Sequence, residues 1–278
     1  MPTLAFWNTN ENVTAEAIAS LAHEWHADIL VLAENKLSVP EVLRALNAGV
    51  ESLYFPDPGY STRLSIFTRF CADKNVLIRD SHGIAIRHYE MPLGESLLLV
   101  AAHLSSKLWK KTEEQILAST RVARFVREAE TQVGHSRTVI IGDLNMNPFE
   151  AGIVGSEGLH AIMDRRIAAL GSRTVHGEDC PFFYNPMWAT LGDLDSTPPG
   201  TYFYNAGGEV NFYWHVFDQV LLRPALLDFF AADSVIVVAE LEGASLLTSA
   251  GHPDREAMSD HLPIICRLRE ILERTNAE

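Results

Sequence analysis

Hydrophobic runs along this chain repeatedly end in a polar residue. Leu4-Ala5-Phe6-Trp7 runs into Asn8, Ile29–Ala33 into Glu34, Leu97–Ala102 into His103, and Val139-Ile140-Ile141-Gly142 into Asp143. Short unbroken apolar runs such as Asp28–Leu32 and Thr138–Ile141 predict strands covered on both faces. Further β-like runs fall at 63–68, 74–79, 83–89, 96–102, 212–222, 233–239 and 262–268. Helical spacing appears between them. Ile18, Leu21, Ala22 and Trp25 recur at i, i+3, i+4, i+7, with Asn12 or Thr14 as the N-cap. Ser38-Val39-Pro40-Glu41 is a capping box that opens a second helix, ending near Gly49. A long helix is predicted over 111–132, with Ile116, Ala123 and Val126 inward, and another over 149–170. Residues 171–211 lack clear periodicity and are rich in Gly, Pro, Asp and aromatics. A long irregular segment of that kind is a functional loop or a disordered one. With no internal repeat, low-complexity tract or linker, the reading is one domain over 1–278.

Composition narrows the class. The chain has 278 residues, 47% of them apolar and 21% charged, enough for a sizeable core. No apolar run is long enough to span a bilayer, so no membrane insertion is expected. The N-terminus shows no basic region or cleavage-like site, so no signal peptide is read. Cys71, Cys180 and Cys266 are odd in number and widely spaced, which suggests neither a disulfide framework nor a zinc cluster. Cys266 alternates with apolar residues and reads as a buried thiol. A reducing, cytoplasmic setting fits. The formal charge of −14 argues against tight, extended duplex binding, which usually needs a basic surface. A local basic patch at Lys107, Lys110 and Lys111 remains open.

The polar run-ends carry the candidate chemistry. Asp143 and Asn145 lie two apart in extended chain, so both face one side beyond the strand's carboxyl end. Alone, Asp-x-Asn is more often a turn. Glu34 is a natural Mg²⁺ ligand, since that ion takes one or two carboxylates plus water and substrate oxygens; a lone glutamate is more commonly just a strand end. A lone His103 is more often a hydrogen-bonded core residue. Asp218 sits inside the apolar stretch Val216–Leu222 and needs a partner if buried. Ser259-Asp260-His261 places two titratable groups before an alternating strand. His261 is the chosen partner, and the pairing would orient the ring and raise its pKa.

Together, Asn8-Thr9-Asn10, Glu34, His103, Gly142-Asp143-Leu144-Asn145, Asp218 and Ser259-Asp260-His261 resemble, in order, the blocks of the endonuclease/exonuclease/phosphatase superfamily. The resemblance runs from about residue 4 to 268. It implies a deoxyribonuclease I-like, four-layered α/β sandwich: two mixed sheets face to face, helices outside, the site at one end. It implies Mg²⁺ or Mn²⁺ held by Glu34, assisted by Asn8, Asn10 and Asp260. By the same analogy Asp143 orients and deprotonates the attacking water, and Asn145 holds a phosphate oxygen. His261, held by Asp218, contacts the scissile phosphate, and His103 faces it as a second histidine.

The sequence departs from that pattern in places. Many members carry Asp where Asn10 stands. The deoxyribonuclease branch places a glutamate before a central strand to partner the first histidine. Here the stretch is Tyr60-Ser61-Thr62-Arg63-Leu64, leaving His103's partner open and offering Arg63 as a phosphate contact or a solvated arginine. The aromatics of 171–211, with Phe212, Tyr213 and Trp214, either pack as a satellite core or wall a substrate or partner surface. The functional reading is a divalent-metal phosphodiesterase, with a nuclease leading. Its alternatives are a phosphatase or lipid-type phosphodiesterase of the same superfamily, or a non-catalytic binding protein on this fold.

Overall fold

The structure is a computed structural model describing residues 2–50, 53–59, 61–90, 96–106, 111–192, 198–231 and 233–269. Lys107, Lys110 and Tyr60 lie outside the described residues.

Two large mixed sheets form the body. The first has six strands, in the order Val235–Val237, Ile264–Arg267, Thr3–Asn8, Ile29–Ala33, Leu64–Thr68 and Phe55–Pro56. The second has seven: Asn75–Ser81, Ile84–Glu90, Ser96–His103, Thr138–Asp143, Asp218–Leu222, Phe183–Tyr184 and Ala161–Ile162. Thr3–Asn8 runs parallel to Ile29–Ala33, and Ser96–His103 parallel to Thr138–Asp143, both buried on two faces as their apolar runs require.

The period of two divides each strand between two cores. Leu4, Phe6, Ile29 and Val31 point inward and meet Leu99, Ala101, Val139, Ile141, Val220 and Leu222 of the other sheet. The alternate residues Ala5, Trp7, Leu30 and Leu32 pack beneath the helices Ala15–Glu24 and Val39–Leu46. Leu98, Val100, Ala102 and Ile140 pack beneath the helix Thr112–Val133. The result is helix, sheet, sheet, helix, the four-layered sandwich expected from the sequence. Each large side chain taken fully out of water in these layers contributes about 1.5–3 kcal/mol.

Local signals settle several boundaries. Thr14 caps the first helix by accepting from Ala17 N–H at 3.2 Å, and Ser38 and Glu41 form the second helix's capping box. Two expectations need correction. The predicted helix over 149–170 is broken into Ala151–Val154, the strand Ala161–Ile162 and Arg165–Ala168. Gly155 ends the first piece and Gly158 turns the chain back, its N–H bonded to Gly155 O. Ile116 is only half-buried; the long helix instead buries Gln115, Ser119, Val122, Ala123, Phe125, Val126 and Ala129. The segment 171–211 also holds ordered pieces: a hairpin (Ser172–Val175 with Glu178–Pro181), the strand Phe183–Tyr184 and the turn of helix Pro186–Thr190. Cys266 is buried, and burial pushes its thiol up to about 12.

Candidate active site

The inward face of each central strand ends in a polar residue, and these ends meet at one edge of the sandwich. His103 is paired with Asp143, and Asp143 with Asp218, so three neighbouring strands set them in a row. All three continue the inward-facing series of their strands. From the opposite sheet, Asn8 ends its strand beside Ala33, and Glu34 follows in a left-handed turn with φ 48°. Asn8 closes the gap between sheets. Its Nδ2 donates to Asp143 Oδ2 at 3.1 Å and to Glu34 Oε1 at 3.3 Å.

The C-terminal block is tied to the same spot. Ser259 Oγ donates to Asn8 O at 2.7 Å and accepts from His261 N–H, while Trp7 Nε1 donates to His261 O at 3.0 Å. These bonds carry His261 over Asp218, whose Oδ2 lies 2.8 Å from Nδ1. Burial alone would discharge the ring. The charge and hydrogen bond of Asp218, with Asp143 and Asp260 nearby, outweigh it and hold His261 at about 10. His261 is therefore an imidazolium at neutral pH, aimed into the site.

His103 finds its partner in the other sheet. Its Nε2 lies 3.2 Å from Glu34 Oε1 and 3.9 Å from Asp143 Oδ2. That hydrogen bond, opposed by burial and aided by Asn8, brings Glu34 down to about 2. Asp143 goes the other way: burial and the neighbouring Asp218 charge raise it, against the pull of His261 and His103. Asp143 Oδ1 accepts from Asn145 N–H at 2.8 Å. Asn145, also left-handed at φ 51°, anchors Nδ2 on Leu104 O, and Gln115 Nε2 donates to Asn145 O. Asp260 is half-buried, and burial raises its carboxyl.

A cavity of about 390 Å³ opens over these groups, within the range of small-ligand sites. Asn8, Asn10, Glu34, Asp143, Asn145, Asp260 and His261 all line it. His103 and Asp218 lie behind that lining. Arg63 stands one residue beyond the Ala33–Leu64 pair, alongside Glu34, with its stem near Gly83, and it does not line the cavity. The far wall is aromatic: Tyr202 stacks on Phe217 at 5.4 Å and lies 4.6 Å from His261. Phe182 and Phe183, by contrast, are core residues. Tyr202 is one of the aromatics of 171–211 read as a packing group or a substrate wall, and it lines the cavity; His215 and Asn147 were not singled out in the sequence. Asn147 alone left a signal, as the next alternate residue after Asp143 and Asn145.

The donors suit a hard cation. Glu34 stays ionised, its side chain is 39% exposed toward the cavity, and Asp260 and the Asn8 amide oxygen add oxygens beside it. Asn8 Oδ1 accepts from Asn10 N–H and keeps a second lone pair. Asp143, Asp218 and His261 also bring ligand atoms within 4.8 Å of one another. There, however, Nδ1 is already bonded to Asp218, which is wholly buried, so that trio is less suited to an ion than the Glu34 side of the cavity.

Oxygen donors suited to a hard cation, an imidazolium and a buried carboxylate meet at the end of a two-sheet sandwich, a set that suits phosphoric ester hydrolysis. The profile of the Endonuclease/Exonuclease/phosphatase family matches residues 5–261, and the chain belongs to that family. No curated protein sequence matches the chain. Among solved structures, truncated Caenorhabditis elegans TDP2 is similar with a TM-score of 0.57 at 16% identity, covering 96% of this chain and 97% of that one. A 3′ phosphatase, NExo, from Neisseria bound to a product DNA hairpin gives 0.52 at 17%, covering 96% and 99%. An AP endonuclease from Archaeoglobus fulgidus gives 0.53 at 13%, covering 96% and 99%. At such identities these likenesses speak for the fold, which is deoxyribonuclease I-like. Among the described residues, no helix is long and apolar enough to cross a membrane.

Proposed function

We propose that this protein is a Mg²⁺- or Mn²⁺-dependent phosphodiesterase acting on nucleic acid or nucleotides. The observation that carries the reading is Asn8 bonded at once to Glu34 and Asp143, which sets an ion-binding carboxylate and a buried base side by side. Glu34, Asn8 and Asp260, with Asn10 at the rim, would hold the ion. When bound, the ion supplies Lewis-acid charge to the phosphate oxygens. Asp143, raised by burial, takes the proton of the attacking water, because a carboxylate lifted above its usual range is the more basic one. The His261 imidazolium faces the charge that builds on phosphorus oxygens, and Asp218 fixes its tautomer. Asn145 positions a phosphate oxygen. His103, between Glu34 and Asp143 and behind the cavity lining, positions these two carboxylates. Arg63 does not line the cavity and is given no phosphate contact.

The DNA in the Neisseria phosphatase structure and the aromatic wall here support a nucleic-acid or nucleotide substrate. The purified protein should hydrolyse a generic phosphodiester with Mg²⁺ or Mn²⁺, and Asp143→Ala should lose the activity by at least 10²-fold. Equal turnover by that variant would remove Asp143 from the mechanism.

A further inference from the structure

A buried amide outside the cavity touches both halves of the acid–base machinery. Gln219 follows Asp218, is fully buried and is paired with Gly142 on the strand that ends at Asp143. Its Nε2 donates to Met146 O, in the loop that carries Asp143 and Asn145. It also donates to Val216 O at 3.0 Å, just ahead of Asp218. Asn185, also fully buried, donates from Nδ2 to Gln219 Oε1 at 2.8 Å. None of the hydrolytic steps above uses either residue.

The orientation of these amides follows from their two ends. The backbone N–H of Met187 can only donate, so the Asn185 atom 3.0 Å away is Oδ1. Asn185 therefore turns Nδ2 toward Gln219, which must receive it on Oε1. Gln219 then turns both its N–H bonds toward the two carbonyls. A flipped Gln219 would set Oε1 against Met146 O and Val216 O, three acceptors with no proton among them, in a place where unpaired polar groups are costly.

The turn that Gln219 grips has a sparsely populated shape. Asn145 is left-handed at φ 51°, and its N–H donates to Asp143 Oδ1 at 2.8 Å. Asn8 holds Oδ2, so the Asn145 N–H fixes the other oxygen of the carboxylate. Two glutamines hold consecutive carbonyls of this turn: Gln115, from the long helix, that of Asn145, and Gln219 that of Met146. We propose that Gln219 is a positioning residue for Asp143, with its amide aligned by Asn185. Losing its grip frees the turn to relax toward right-handed backbone, and the carboxylate swings away from the water it must deprotonate. The inference rests on the phosphodiesterase reading and adds to it a determinant of turnover that lies outside the cavity.

The test measures bis(p-nitrophenyl) phosphate turnover with Mn²⁺ for wild type, Gln219→Met and Asn185→Asp, and for Gln219→Met in an Asp143→Ala background. Methionine matches the length of glutamine but carries no donor. Asn185→Asp keeps an acceptor for Met187 N–H but repels Gln219 Oε1. Both variants should lower kcat at least about tenfold with KM moved less than about threefold, since a misaligned base costs rate rather than binding. In the Asp143→Ala background Gln219→Met should cost less than about twofold, because the group it aligns is gone. An equal cost in both backgrounds, or a loss carried by KM, would overturn the proposal. Amide hydrogen exchange supplies a readout independent of turnover. In either variant Asn145 N–H should exchange at least about tenfold faster relative to the amides of residues 139–141. An unchanged ratio would overturn the inference even if the ester is not cleaved; that lack of cleavage by the wild type would count against the phosphodiesterase reading instead. Should Gln219→Met fail to fold, Asn185→Asp, which leaves Gln219 in place, carries the same comparisons.

Discussion

At the scale of single residues, the site is a set of charges placed in opposition. His261 lies at about 10 because Asp218, Asp143 and Asp260 outweigh its burial, while Glu34 lies at about 2 because His103 donates to it. A histidine raised on folding adds its full stability below its unfolded value near ~6.5 and loses it as pH climbs through the folded value. Asp218→Asn removes the carboxylate that holds the ring up. The stability gap between wild type and this variant should therefore be wide at pH 6 and shrink toward pH 10 in urea titrations. Activity, where the imidazolium is needed, should fall on the alkaline side at lower pH in the variant than in wild type. Matching pH–rate profiles would contradict that role for the pair.

At the scale of elements, strand spacing controls the site. Gly142 lies in the run that ends at Asp143, and a Cβ there would stand 1.8 Å from Ala102 O on the neighbouring strand. Gly142→Ala must push these two strands apart, at a cost of about 2–4 kcal/mol, visible as a lowered denaturation midpoint. Activity should drop with it, because His103 and Asp143 are registered across the same pair of strands. The strands were legible in sequence because a run buried on both faces leaves no polar residue until it reaches the cavity. That same rule exposed Asn8, Glu34, His103 and Asp143. The 149–170 stretch read as one helix, but Gly155 and Gly158 turn the chain within it, and Gly152 is small to let the chain dock against Ser119 and Met146. Asn147 and His215 were hidden for a different reason. Asn147 lies past the end of its strand and His215 in a strand of two residues, too short for a period to say which way a side chain points.

At the scale of the whole molecule, the sheets are joined by more than apolar packing. Arg87, in the seven-stranded sheet, is buried and bonded to Asp57 at 2.6 Å, just past the edge strand of the other sheet, and to Asp80 at 2.7 Å. Tyr89 OH and Asn75 Nδ2 complete the Asp57 carboxylate. In sequence, Arg87 passes for a solvent-facing residue in an alternating strand. Arg87→Met would strand two buried carboxylates and should cost about 3–5 kcal/mol in urea denaturation. An Asp57→Asn, Arg87→Met double variant should recover part of that loss. Thr3–Asn8 is flanked by Ile264–Arg267 on one side and Ile29–Ala33 on the other, so Asn8 and His261 share a site although 253 positions separate them. A protease that clips ahead of Ser259 leaves a polypeptide holding Asp143 and Glu34 but without His261. Docking of Ile264–Arg267 beside Thr3–Asn8 is thus a precondition for assembling the cavity at all.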